Sequence, residues 1–368
     1  VTYNWQQADW PEFRYETDGF AELLLAFADH AGCVGGLLEG LPDELSTEAV
    51  LDLMIAEAIR TSAIEGETLN REAVMSSIRN HLGLNVEPQP VSSRMADGAG
   101  ELMVAVRNHF REGLSEETLF AWHRMLLGGS TRLRVGSWRE GGDPMQVVSG
   151  RIDAPTVHFE APPAARVPAE MTRFIQWFND TAPGGPKPLA HAPVRSALAH
   201  LYFESIHPFE DGNGRIGRAI AEKALSQGLG RPVVLSLSQA IDDSRSAYYA
   251  ALKSASRSNE VSGWLRWFVG VVVAAQRDAE ARIRLVLRKS RFFGRFGRDL
   301  NERQLKVLRR MFEAGPGGFT GGLNTRKYIA LTGTSKATAT RDLQRLAELG
   351  ALIPAGGGRS VRYDLGGG

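Results

Sequence analysis

Apolar positions recur at helical spacing through most of the chain. AELLLAFADHAG (21–32) and STEAVLDLMIAEAIRTSAIEGE (46–67) both show it, and Ser46 or Thr47 stands where the second helix would be capped. The pattern returns in SEETLFAWHRMLLGG, PAEMTRFIQWFND, HAPVRSALAHLYFESI, IGRAIAEKALSQGLG, SRSAYYAALKSA and SGWLRWFVGVVVAAQRDAEARIRLVLRKS. Residues 131–165 break it. There glycine and proline punctuate two short β-branched runs, Met145 to Ser149 and Thr156 to Phe159, which predict a β-hairpin set between helices.

The pattern changes again near the end. RKSRFFGRFGRDL (288–300) is basic and broken by glycine, and predicts a linker. Beyond it NERQLKVLRRMFEAG, NTRKYIALTG and SKATATRDLQRLAELG predict three short helices, and ALIPAGGGRSVRYDL predicts two strands around a glycine-rich tip. Three helices and a β-wing make a winged helix-turn-helix, with 335–349 in the recognition position. The expected organisation is a helical region over 1–112, a helical core with its hairpin over 113–287, the linker over 288–300 and the winged helix over 301–368.

Composition adds limits. With 43% hydrophobic and 23% charged residues in 368, the chain has room for more than one ordinary globular core. A net charge of +1 argues against the whole chain being a polyanion binder and leaves a local basic patch open. The single cysteine, Cys33, excludes an internal disulfide framework and any cysteine-based zinc site, and points to a reducing cytoplasm. The opening VTYNWQQADW lacks the basic-then-apolar order of a secretory leader and reads as a processed start. The most apolar run, WFVGVVVAA (267–275), is too short to span a bilayer, so no membrane contact is expected. The histidines show no H-E-x-x-H spacing, which removes a zinc site of that kind.

The chemistry gathers in HPFEDGNGRIGR (207–218). Pro208 ends an apolar helix, and Gly212 and Gly214 allow a turn whose N–H groups converge into an anion nest. Arg215 opens the next helix, whose N-terminal dipole adds to the attraction. Arg218, three residues on, projects from the same side, and two guanidinium forks beside a nest suit a polyphosphate. Asp211 is a hard oxygen donor placed to hold Mg²⁺ on phosphate oxygens, and His207 at the rim can take a proton near neutral pH. GNGRIG (212–217) also satisfies G-x-G-x-x-G, but a helix precedes it and no acid answers it, so a dinucleotide fold is rejected.

HPFEDGNGRIGR resembles the signature of the Fic family, H-P-F-x-[DE]-G-N-G-R-x-x-R, at every specified position. The resemblance implies a mainly α fold: a Fic-type helical bundle with a β-hairpin flap, followed here by the winged helix-turn-helix. It also implies transfer of AMP from ATP to a Ser, Thr or Tyr hydroxyl of a target protein. His207 would be the base and Asp211 the Mg²⁺ ligand. Gly212, Asn213, Gly214 and Arg215 would cradle the α- and β-phosphates, Arg218 would hold the γ-phosphate, and Phe209 would bury the loop. The flap would run from Met145 to Arg151, with Val148, Ser149 and Gly150 near the nucleotide and the target held by strand pairing. Tyr248 and Tyr249 match an aromatic pair beside the adenine, while Ser256 replaces an asparagine frequent after that pair.

TSAIEG (61–66) matches the inhibitory pattern of the same family, [ST]-x-x-x-E-[GN], which implies that Glu65 pairs with Arg218 and denies it to the γ-phosphate. Two alternatives stand beside an autoinhibited transferase. Glu65 could orient water in a reverse, AMP-removing hydrolase, or the core could sense nucleotide for a transcription regulator. Lys336, Arg341, Arg345, Arg359 and Arg362 would supply DNA phosphate contacts. Asp342 and Glu348 interrupt that surface, and protein binding or homodimer formation is the other use of such a module.

Overall fold

The computed structural model describes residues 2–151, 154–356 and 361–366. The chain packs as two compact units, residues 1–32 with 50–277, and 33–49 with 278–368. Its helices are α1 (Ala21–Glu39), α2 (Asp43–Ile64), α3 (Arg71–His81), α4 (Arg94–Asn108), α5 (Glu116–Leu127), α6 (Val167–Asp180), α7 (Ala192–Ile206), α8 (Asn213–Leu229), α9 (Leu237–Asp243), α10 (Arg245–Ala255), α11 (Ser262–Phe296), α12 (Glu302–Phe312), α13 (Thr325–Thr332) and α14 (Lys336–Glu348). The strands are β1 (Gln146–Arg151) and β2 (Ala154–Glu160), then β3 (Leu352–Ala355) and β4 (Arg362–Leu365). Each pair is an antiparallel hairpin, the first with a register irregularity between Val147 and Val148.

In the first unit α7 is buried on nearly every side, as its lack of a polar face requires. Tyr202, Phe203 and Ile206 pack with Phe174 and Phe178 of α6 and with Ile216 and Ile220 of α8. The aromatic N-terminal arm is pinned to this core: Trp5 Nε1 donates to the Glu160 carbonyl at 2.7 Å and Trp10 Nε1 to Glu170 at 3.0 Å. The helix expected to be capped at Ser46 or Thr47 starts earlier, at Asp43, leaving both inside it. Asp43 and Glu44 follow Pro42 and put negative charge at the positive end of the helix, which favours the earlier start.

The second unit holds the winged helix. Val307, Leu308, Met311, Tyr328, Leu343, Leu346 and Leu352 form its core together with Phe292 and Phe296. Those two phenylalanines explain why the stretch 288–300, expected as a linker, is helical as far as Phe296. Spaced i, i+4, they give it one buried face. Asp342 does not interrupt the recognition surface as the sequence suggested. It turns inward, accepting from Tyr328 Oη at 2.8 Å and from Arg303 Nε at 3.1 Å. Arg359 lies outside the described residues.

Among the described residues one stretch, Asp18–Glu39, is long and apolar enough to cross a membrane, with a mean hydropathy of 1.4. Phe27, Ala31 and Val34 are buried there, but only 22% of that apolar window is, and Leu25 stands 72% exposed.

Two acids meet between α2 and α8, Glu57 buried and Glu222 partly buried. Glu57 of α2 accepts the Ser236 hydroxyl at 2.9 Å, the Ser238 N–H at 2.8 Å and the Ser238 hydroxyl. It borders a cavity of about 10 Å³, room for one water, together with Arg107 and Glu222. Burial, with the charge of Glu57 adding to it, pushes Glu222 up from 4.5 to about 8; burial also raises Glu57. A carboxyl raised on folding holds its proton more tightly in the folded chain, so its stabilisation is complete below 4.5 and lost as pH rises through about 8. The free energy of unfolding by urea is therefore expected to be lower at pH 9 than at pH 6, by roughly 3 kcal/mol. Glu222→Gln should flatten that slope.

Candidate active site

The site is the turn between α7 and α8. His207 closes α7 in the left-handed region at φ 50, the one positive-φ residue other than glycine among the described residues. Pro208 lacks the N–H a continuing helix would use, so the chain leaves the helix axis there. Arg139 clamps the turn from outside. It donates from Nε to the His207 carbonyl at 2.7 Å and from a terminal nitrogen to Pro162 at 2.6 Å, and its own N–H meets Pro208 at 2.9 Å. Burial lowers the Arg139 guanidinium to about 10, so it stays charged at neutral pH.

Asn213 braces the loop. Its amide accepts the Phe209 N–H and donates to the Phe209 carbonyl, both at 2.9 Å. With the amide so committed, any phosphate contact at this position is left to its backbone N–H. Phe209 is fully buried and stacks on His123 with ring centroids 4.1 Å apart. His123 Nδ1 accepts the Gly136 N–H at 2.9 Å, which leaves Nε2 to donate to the Asp211 carbonyl at 3.1 Å. Burial lowers the pKa of His123, in keeping with that neutral tautomer.

Gly212 caps α8 at φ 84, a conformation that favours glycine. The helix begins at Asn213, two residues before the expected Arg215. The Ile216 N–H returns to the Gly212 carbonyl, so the amides of 213–215 are the first-turn donors with no carbonyl below them. Gly214 therefore lies inside the helix. Its smallness serves another end, because a Cβ there would fall 2.2 Å from Glu65 Oε1.

Both arginines of the turn are buried and held. Arg218, 1% exposed, donates to Glu65 at 2.7 Å, and to the Thr61 hydroxyl and carbonyl at 2.8 and 2.9 Å. One terminal nitrogen, Nη1, has no partner. Burial works against its charge, but the carboxylate of Glu65, with Tyr248 and Glu204, outweighs this and raises its pKa. Arg215, 3% exposed, donates to Glu67 at 2.7 Å and reaches Asp211 at 3.5 Å. Asp211 itself is half exposed and turned to the open side.

Glu65 and Glu67 flank the C-terminal turn of α2. Gly66 at φ 85 forms a Schellman turn, with its N–H on Ala63 and the Glu67 N–H on Ser62, both at 3.0 Å. Glu204, 13% exposed and one turn before His207, has Oε2 3.6 Å from His207 Nδ1, within ion-pair reach and short of a hydrogen bond. Burial would raise its pKa, but His207, His200 and Arg218 together hold it below the ordinary value. A side chain at Gly217 would strike Glu204 Oε1 at 2.4 Å.

Other expected residues are placed less directly. Tyr248 is buried and bonded through its hydroxyl to His200 Nε2 at 2.9 Å; Tyr249, 45% exposed, is the ring of the pair with an open face. Val148, Ser149 and Gly150 lie on β1, and their side chains are outside the described residues. Reading the sequence missed Glu67, Glu204, Arg139 and His123. Glu204 carried a signal, an acid three residues before His207 on the same helix face, and Glu67 another, an acid directly after the glycine of TSAIEG.

Residues 113–225 match the Fic/DOC family profile. This stretch is a Fic domain. Residues 3–84 match a domain of unknown function (DUF4172), and 319–366 the C-terminal domain of DIP2311-like transcriptional regulators. A Fic family protein from Desulfovibrio desulfuricans G20 has the same fold at a TM-score of 0.53 and 23% identity, over 97% of this chain and 98% of that one. A Fic domain containing signaling protein from Bacteroides thetaiotaomicron aligns at 0.53 and 18% identity, over 70% and 97%. Among curated relatives, protein adenylyltransferase fic-1 of Caenorhabditis elegans is 26% identical over 61% of this chain, which spans 39% of that relative's length. Protein adenylyltransferase Fic of Drosophila ananassae is 36% identical over 24% of this chain and 16% of its own length.

The Fic turn leans on His123. Replacing it by Ala removes the Phe209 stack and leaves the Gly136 N–H and the Asp211 carbonyl without their partner. A loss of roughly 3 kcal/mol in urea unfolding is expected.

Proposed function

We propose that the chain is a Fic-type protein adenylyltransferase held inactive by its own Glu65. The observation that carries this reading is the single turn that brings together a rim histidine, the free first-turn amides of α8 and two buried guanidiniums, one of them paired with Glu65. The names of the matched relatives agree with it.

ATP would lie with its α- and β-phosphates over the amides of 213–215 and Arg215, and its γ-phosphate toward Arg218. Nδ1 of His207 faces Glu204, which leaves Nε2 as the base. Nε2 takes the proton of a Ser, Thr or Tyr hydroxyl as that oxygen bonds the α-phosphorus. The bond from the α-phosphorus to the bridging oxygen breaks and pyrophosphate leaves. Glu204 positions the imidazole and offsets the positive charge it gains. Val148, Ser149 and Gly150 would hold the target segment by strand pairing.

Mg²⁺ fits this donor set as an ion carried with the nucleotide. Asp211 is an acceptor-only carboxylate on the open side, and no group of three His, Cys, Asp or Glu gathers to hold a metal among the described residues. Asp211 would hold the ion, which supplies charge neutralisation at the phosphates. With Glu65 on Arg218, the γ-phosphate loses its fork and the nucleotide its in-line pose.

The C-terminal match to transcriptional regulators favours a second role for the winged helix, contact with duplex DNA. Lys336, Arg341 and Arg345 are exposed on α14, and Asp342 turns away from them. If DNA is the partner, Lys336→Ala with Arg341→Ala should lower the salt slope of binding by about 2.

Transfer of AMP from α-labelled ATP tests the main reading. Glu65→Gly should raise labelling of itself or a lysate target about tenfold or more. Adding His207→Ala should cut it about a thousandfold. Glu204→Gln in the Glu65→Gly background should lower kcat about tenfold with little change in KM for ATP. A silent Glu65→Gly, beside wild-type protein that strips AMP from a modified target, would make Glu65 the hydrolytic residue.

A further inference from the structure

One end of α2 carries two acids, and the inhibitory pattern accounts for only the first. Glu65 and Glu67 stand on either side of Gly66, whose left-handed turn sends their side chains to neighbouring arginines. Glu65 takes Arg218 and Glu67 takes Arg215, each at 2.7 Å. Both guanidiniums are almost wholly buried, so each has few directions in which a competing anion can reach it.

The two pairs differ in what they would exclude. Arg218 faces the γ-phosphate in the reading above, and Arg215 the α- and β-phosphates. We infer that Glu67 is a second lock, which occupies Arg215 and competes with the inner phosphates for it, independently of Glu65. This rests on the nucleotide pose proposed above. Burial, with the charges of Asp211 and Glu65 adding to it, raises the pKa of Glu67, and Arg215 works against that rise. Glu67 depends on Arg215 for its partner, and a phosphate that brings its own cation can compete for that arginine. Releasing Glu65 alone frees the γ-phosphate position, and the inner phosphates must still displace Glu67 from Arg215.

ADP separates the two locks, because it has α- and β-phosphates and no γ-phosphate. In calorimetric titration of the full chain, Glu67→Gln should tighten ADP about tenfold. Glu65→Gly should leave ADP within about twofold, and ATP should gain from each change. ADP affinity unmoved by Glu67→Gln, or moved as much by Glu65→Gly, overturns the inference. Should Glu67→Gln fail to fold, carbodiimide labelling of the unchanged chain asks the same question. Saturating ADP should increase labelling of Glu67 and leave that of Glu65 constant; equal labelling of Glu67 with and without ADP refutes the second lock. The two readings fail separately. Absence of AMP transfer from every variant, with the ADP pattern intact, removes the transferase and keeps the lock. Transfer released by Glu65→Gly, with ADP indifferent to Glu67, does the reverse.

Discussion

A guanidinium with 1% exposure cannot stand alone, and the arrangement around Arg218 follows from that constraint. Its charge needs a carboxylate within reach, which brings the end of α2 onto the start of α8. It needs acceptors for its remaining hydrogens, and the hydroxyl and carbonyl of Thr61 supply them. It needs room, so residue 214 has no side chain. One hydrogen-bonding nitrogen still lacks a partner. A buried cation left partly unsatisfied is a poor stabilising device and a good anion receptor.

The same economy runs through the turn. Asn213 ties the loop by its side chain while its backbone N–H stays free for an anion. His123 fills space against Phe209 and also fixes the carbonyl of Asp211. Glu204, 13% exposed, is held below the ordinary carboxylate range in spite of its burial, and it faces His207. Residues that hold the α7–α8 turn in shape are those that orient its chemistry, so damage to one is felt as damage to the other.

Much of this was legible beforehand, for identifiable reasons. The helices of the bundle showed as 3.6-residue periodicity, and the turn showed because its residue mixture serves no packing purpose. Glu65 was readable through its position relative to the signature. What stayed hidden depends on contacts distant in sequence. Nothing local marks His123 or Arg139 as partners of a loop some seventy to ninety residues away. Glycine misled twice. At 288–300 it suggested a break where two buried phenylalanines enforce a helix, and at 214 it suggested a turn where a neighbouring carboxylate needs the space. Asp342 looked like surface charge because its hydrogen-bond partners, Tyr328 and Arg303, lie on other helices.

The place of the two acids at a helix C-terminus has a kinetic meaning. The dipole of α2 is negative there, so its own backbone disfavours both carboxylates, and only groups on α8 hold them in place. The last turn of a helix is also the part that unwinds most readily, on the microsecond scale or faster. Under the proposed inhibition, opening the site would require the last turn to come away from Arg218 on Thr61 and Arg245 on Ala63, while Glu57 keeps the upper turns fastened to Ser236 and Ser238. A chain built in this way would flicker rather than switch. Its resting leak would be set by how often one turn comes undone, and any partner that grips the unwound turn would hold the site open.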